Sequence, residues 1–310
     1  AQDSVAMIGI TLFLQLGVET MAALTVVVTG GTGCVGTGVV RALRRHGHQI
    51  LALARTEQSA LKLRRMGAEP FLGDLLTLDW ETQLARSQAV VHCGMDWSAP
   101  KEREQQVLEW MISHMSGKTI VYTGGTWCYG SGTFTESSPL VRGYGWDFLI
   151  DGIDTLRAAS SIRGIVVHPP LVYDWDLETG ETTGWLRRMV EDVRSSGRVR
   201  IVGDAGRRQV VGHTDDVGEV YALAIEHGTS GEGYNAGAIG ATAGEMASFA
   251  ASVAGKPAMN PTILDLEAGQ VAFGASANGM NFDQIMLSPN SEALGWKPAR
   301  TTLQDLRQTQ

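Results

Sequence analysis

Short runs of consecutive apolar residues alternate along the chain with longer stretches whose apolar positions recur every three or four residues. The first run, 24–29 (LTVVVT), is continuous and β-branched, which predicts a parallel strand covered on both faces. Glycines follow it, and then Val35, Val39, Ala42, Leu43 and His46 recur at helical spacing, giving a strand, a glycine turn and a helix. The same alternation predicts strands at 50–54, 70–72, 89–93, 119–123 and 164–168, with helical stretches such as 101–116 and 148–160 between them. Strands that alternate with helices in this way predict an α/β fold, a Rossmann-like doubly wound parallel sheet. Past Pro169 the pattern is less regular, with a helix at 185–195, a strand at 209–212 and helices at 217–226 and 243–254.

Composition narrows the picture. Lys plus Arg number 25 against 33 Asp plus Glu, a formal charge of −8 and the wrong sign for a phosphate-binding surface, so nucleic acid is not an expected partner. Cys34, Cys93 and Cys128 show no CxxC spacing, which argues for a reducing, cytoplasmic setting and against a structural metal. The stretch 5–18 is largely apolar but too short to span a bilayer and lacks a basic flank, so no membrane partner is expected. Met21 stands just ahead of the first strand, and residues 1–20 read as an N-terminal extension, or else as a hydrophobic helix covering a groove or a dimer partner.

The strongest chemical signal is the turn Thr29-Gly30-Gly31-Thr32-Gly33-Cys34-Val35-Gly36. Glycines 30, 33 and 36 allow a tight turn, close approach to a pyrophosphate and a helix packed on the strand, while the helix N-terminus offers free N–H groups. At the end of the second strand, where NAD-binding folds place an acid for the ribose 2′-hydroxyl, this chain has Arg55. A cation there suits a 2′-phosphate. Charged hydrogen bonds contribute about 1.5–3 kcal/mol, roughly ten- to a hundredfold in favour of NADP over NAD. Lys62, Arg64 and Arg41 are candidate helpers.

Several motifs together resemble the extended short-chain dehydrogenase/reductase family of the NAD(P)-dependent epimerase/dehydratase type. TGGTGCVG is similar to its TGxxGxxG, Gly73-Asp74-Leu75 to its GDL, and Val90-Val91-His92-Cys93-Gly94 to the strand passing the nicotinamide ribose. Tyr122-Thr123-Gly124-Gly125-Thr126-Trp127-Cys128-Tyr129-Gly130 resembles TSSxxVYG, His168-Pro169-Pro170-Leu171-Val172-Tyr173 resembles RPxxVYG, and Leu294-Gly295-Trp296-Lys297-Pro298 resembles LGWxP. The resemblance implies NADP(H) held by Gly30, Thr32, Gly33, Cys34, Val35, Gly36, Arg55, Asp74, Leu75, Cys93, Gly94, Met95, Thr123, His168 and Pro169. It also implies a dinucleotide-binding Rossmann domain at 21–170 plus about 205–240, a smaller interleaved substrate domain at about 171–204 plus 241–310, and homodimers as one arrangement.

The departures fall where the chemistry belongs. The family's Tyr-x-x-x-Lys is absent; Trp146, Ile150 and Asp154 best match its pattern, Gly125 takes the usual Ser/Thr place, and Tyr144 is followed four residues on by Phe148. One reading is NADPH-dependent reduction of a ketone, aldehyde or enone with Thr126, Tyr144 or Tyr173 as a substitute donor. A second is non-redox isomerase, lyase or cyclase chemistry with His168, Asp174, Asp96 or Asp147 as acid/base and the dinucleotide bound structurally. A third is a nucleotide-sensing binding protein. Trp97, Trp127, Trp146, Trp175 and Trp185 follow strands 4 to 6 or their adjoining helices, suggesting an aromatic cage for a small apolar or aromatic substrate. An arginine of the 187–200 stretch could receive a substrate carboxylate.

Overall fold

The computed structural model describes residues 22–96, 98–175, 182–257 and 259–307. Its strands are β1 (Thr25–Thr29), β2 (Gln49–Ala54), β3 (Glu69–Leu72), β4 (Ala89–His92), β5 (Thr119–Thr123), β6 (Gly132–Phe134), β7 (Arg163–His168), β8 (Leu171–Trp175), β9 (Thr182–Thr183), β10 (Arg200–Val202), β11 (Arg208–His213), β12 (Gly233–Asn235), β13 (Ile239–Thr242), β14 (Thr262–Leu264) and β15 (Gln284–Met286). The helices are α1 (Cys34–Arg45), α2 (Glu57–Arg65), α3 (Glu81–Arg86), α4 (Pro100–His114), α5 (Asp147–Ala158), α6 (Gly184–Ser196), α7 (Thr214–His227), α8 (Ala243–Val253), α9 (Leu266–Phe273), α10 (Ser276–Met280) and α11 (Pro289–Ala293).

Seven strands form one parallel sheet in the order β12-β7-β5-β4-β1-β2-β3. Successive strand residues point to opposite faces, and the uniform apolarity of β1 is the consequence of having both faces covered. Val26 and Val28 join one buried cluster with Val39 and Leu43 of α1 and Val217 and Val220 of α7. Val27 joins the other with Leu108 and Met111 of α4 and Ile153 of α5. The chain reverses its direction of winding between β1 and β4, which opens a crevice at the carboxyl ends of these strands.

A second sheet, β13-β11-β8-β9, is mixed and carries its own core under α6 and α8, built from residues such as Tyr173, Leu186, Val190 and Met246. Arg41 of α1 ties it to the first sheet through Asp174 of β8 at 2.9 Å and Asp215 at 3.3 Å. Two of the strands outside the expected series help build the sheets beside the crevice. β12 is Gly-Tyr-Asn, without a β-branched run, and is recruited by the β7 ladder alone. β8 follows two prolines and pairs with β11 and β9. Residues 1–20, with their expected extension, lie outside the described residues. Among the described residues, no helix is long and apolar enough to cross a membrane.

Candidate functional site

The glycine turn joins β1 to α1. Gly30 has φ +66°, and a Cβ there would lie 2.6 Å from the Cys93 carbonyl oxygen and the Gly94 nitrogen at the end of β4. A Cβ on Gly36 would overlap the Gly30 carbonyl. The backbone is thus as close as bare glycine permits, leaving a cradle over the N-terminus of α1. That helix has no side-chain cap and no acid in its first turn, so its leading N–H groups and dipole are available to a phosphate. Val35 faces the crevice. The residues present fit a dinucleotide pyrophosphate.

Arg55 follows the last residue of β2 and is exposed, without an ion pair among the described residues. Lys62 of α2 reaches the Thr32 carbonyl at 3.5 Å, so a second cation stands at the turn. Arg41 is committed to Asp174 and Asp215, and Arg64 lies 3.9 Å from Glu57. Asp74 accepts the Leu76 N–H at 2.9 Å within its own turn, and Leu75 is buried in the core.

At the ends of β4 and β5 a cavity of about 580 Å³ opens beside the glycine turn. Cys93, Gly94, Met95, Thr123 and Pro169 line it, as do Trp127 and Trp146, whose rings lie 5.0 Å apart. Gly279 of α10 lies against the Trp127 ring, where a methyl group would overlap it. Thr123 Oγ1 receives the Tyr221 hydroxyl at 3.0 Å and donates to Cys93 Sγ at 3.4 Å. Burial pushes the thiols of Cys34, Cys93 and Cys128 up to about 12, so none is a nucleophile at neutral pH.

Several expectations are corrected. Thr126 lines the cavity, but its hydroxyl donates to Gln284 Oε1 at 3.2 Å, which makes it an anchor of the 126–129 turn. Tyr173 is fully buried in the second-sheet core, its ring edge-on to His213 at 5.4 Å, and burial raises its hydroxyl far above the usual range. Tyr144 is 40% exposed and packs edge-on against Phe282, away from the cavity. No one of the three is placed as a substitute donor. His168, expected beside the nicotinamide, is enclosed instead: its Nδ1 accepts the Gly125 N–H at 3.3 Å and burial, helped by the Arg157 charge, pushes it down to about 3. It is a neutral support for the turn after β5.

The other acid/base candidates are also occupied. Asp174 holds Arg41, Asp96 holds Ser98 and Arg103, and Asp147 receives the Gly143 N–H at 3.0 Å; none lines the cavity. The aromatic cage shrinks as well. Trp175 and Trp185 pack on the second-sheet core, because β8 and α6 turn their apolar faces inward there. Trp97 lies outside the described residues.

One cavity residue carries chemistry that the sequence reading did not assign. Glu104 of α4 is 3% exposed, lines the cavity and receives His92 Nε2 at 3.1 Å. Its signal is in the helical spacing, since 104, 107, 108 and 111 share the buried face of α4. Of the arginines in the 187–200 stretch offered for a substrate carboxylate, Arg188 of α6 is the one that lines the cavity among the described residues. It is exposed and has no ion pair among the described residues.

Comparison with known proteins agrees with this geometry. The model of the NAD dependent epimerase/dehydratase family matches residues 26–237. An uncharacterized protein of Schizosaccharomyces pombe is 27% identical over 295 residues, covering 89% of this chain and 95% of its own. Among solved structures, a nucleoside-diphosphate-sugar epimerase from Pseudomonas aeruginosa superposes with a TM-score of 0.73 at 17% identity, over 92% of this chain and 95% of that one. A dTDP-glucose 4,6-dehydratase from Streptomyces venezuelae, solved with NAD bound, gives 0.70 at 19% identity over 89% and 92%. At these identities the structures share the fold.

Proposed function

Since the chain belongs to the NAD-dependent epimerase/dehydratase family, we propose that it is an NADP(H)-dependent oxidoreductase that reduces the carbonyl of a small apolar or aromatic molecule with an anionic end. The observation that carries this reading is the cavity itself: it adjoins the glycine turn, is walled by Met95, Trp127, Trp146 and Leu149, and has Arg188 on its lining. Aromatic walls favour a flat apolar body over a sugar, and a guanidinium binds a carboxylate bidentately.

The first turn of α1 would hold the pyrophosphate, and Arg55 with Lys62 would hold a 2′-phosphate. The ends of β4 and β5, with Pro169, would flank the nicotinamide. A bound nicotinamide supplies or accepts hydride, while the chain orients the acceptor, excludes water and holds its charged end. Cytoplasmic location and a small-molecule partner belong to the same proposal.

The test is NADPH consumption with 4-carboxybenzaldehyde and benzaldehyde as acceptors. The carboxylated aldehyde is expected to have a kcat/KM roughly ten- to a hundredfold above benzaldehyde, a charged hydrogen bond's worth, and Arg188→Gln is expected to erase the difference. Equal rates for the two aldehydes would contradict the assignment.

A further inference from the structure

Glycine inside a helix is less stable than alanine, so a buried one with an ordinary helical backbone calls for a packing reason. Gly279 of α10 is such a residue: it is buried and its φ lies outside the left-handed region. The reason is Trp127. A Cβ at 279 would lie 2.1 Å from Trp127 Cδ2 and 2.3 Å from Cε2, whereas carbon atoms rest at about 3.5–4.0 Å, so a methyl group and the indole cannot both occupy these places. The helix is held from several sides. Asn278 donates to the Tyr144 carbonyl at 3.1 Å and accepts from Gln270 at 3.0 Å, while just beyond the helix Gln209 donates to the Phe282 carbonyl at 2.6 Å and Arg207 to the Asn281 carbonyl. The backbone around Trp127 is held as well, since Gln284 donates to the carbonyls of Thr126 at 3.0 Å and Gly130 at 2.6 Å. The indole has no such tie: its N–H makes no hydrogen bond, and the Trp146 ring beside it is 5.0 Å away and tilted by 47°.

We propose that Gly279 is a positioning residue that determines substrate size: by letting Trp127 sit against α10 it keeps the cavity open to a fused two-ring body, and a side chain at 279 restricts the site to a single ring. This rests on the reductase reading above for the class of substrate, flat and apolar, and adds its upper size. Gly279 does not line the cavity, so its action passes through Trp127, which does. A methyl group at 279 makes the indole retreat by about 1.5 Å, the difference between the overlap and an ordinary contact. Packed side chains leave no void for such a move. Both indoles line the cavity of about 580 Å³, so the volume that the retreating ring takes comes from the cavity. A single ring fills less of that volume than a fused pair and is less affected by its loss.

Two uncharged probes, phenol and 2-naphthol, read the size limit without the cofactor and without Arg188. Each is titrated into the protein and followed by NMR of the ligand. Wild-type protein is expected to bind 2-naphthol at least as tightly as phenol. Gly279→Ala is expected to lose about tenfold or more for 2-naphthol while phenol stays within about threefold, since a misfit of one methylene in an apolar pocket is worth about 10–200-fold. Alanine is the better helix former, so the variant is expected to fold. Adding Trp127→Phe to Gly279→Ala makes room for the methyl group and is expected to restore 2-naphthol binding, a coupling that two independent sites would not show. Circular dichroism gives a reading without any ligand: the exciton couplet of the Trp127–Trp146 pair should change in Gly279→Ala. Equal loss for both probes, no loss, or tighter binding of 2-naphthol overturns the proposal, as does wild-type protein that binds neither probe or a couplet that the substitution leaves unchanged. Absence of aldehyde reduction by NADPH, with the two-probe ratio shifted as expected, would count against the reductase reading alone.

Discussion

The two halves of the cleft are specified in different ways. On the nucleotide side, Gly30 and Gly36 leave no room for a side chain, and the groups left without a side-chain cap are backbone amides at the start of α1. On the substrate side the walls are side chains on the 126–129 turn, α5, α6 and α10, and almost any apolar residue would fill the same space. The nucleotide half therefore carries the family's glycine pattern, while the substrate half is walled by side chains such as Trp127, Trp146 and Leu149. Backbone geometry constrains a sequence more tightly than cavity lining does.

The largest effect should come from breaking the nucleotide side. Gly36→Val forces a side chain onto the Gly30 carbonyl, which cannot move without displacing β1, so NADPH binding should be lost and stability should drop by about 3 kcal/mol or more. Fluorescence titration and urea denaturation check both. Next comes acid sensitivity beneath the turn after β5. His168 is held down to about 3 in the folded chain, first by burial and then by Arg157, so below an unfolded value near 6.5 the unfolded chain takes up the proton and the folded one does not. Stability should fall as pH drops from 6.5 towards 3, by about 1.4 kcal/mol per unit from this residue, and His168→Gln should flatten that slope in urea melts.

Arg55→Asp sharpens the comparison at the cofactor's far end. The ratio of NADPH to NADH affinity should fall roughly ten- to a hundredfold, and an unchanged ratio would remove Arg55 from the site. The smallest effects are expected at the displaced tyrosines. Tyr173→Phe and Tyr144→Phe should each leave turnover unchanged and shift stability by less than about 1 kcal/mol, since the first hydroxyl makes no hydrogen bond and the second residue lies outside the cavity.

The parallel sheet was legible because β1, β2, β4, β5 and β7 are buried on both faces and read as unbroken apolar runs. β12 was not, since its three residues pair only because β7 offers a free edge. The glycine turn and Arg55 were legible because spacing alone places them. Thr126, Tyr144 and Tyr173 were proposed for their chemistry, and three-dimensional partners decide against them: Gln284 lies 158 residues from Thr126 in sequence. Glu104 shows the converse case, an acid on the apolar face of a helix that only the His92 contact makes conspicuous.

The central claim is that the glycine turn binds a dinucleotide beside the tryptophan-walled cavity. Its most direct test is a titration of the purified protein with NADPH and then NADH, following energy transfer from Trp127 and Trp146 to the reduced nicotinamide. Tight NADPH binding, weaker NADH binding and transfer that weakens when both tryptophans are replaced by phenylalanine is the predicted result. Absence of binding by either nucleotide would mean that the glycine turn no longer serves a dinucleotide, and would contradict the account.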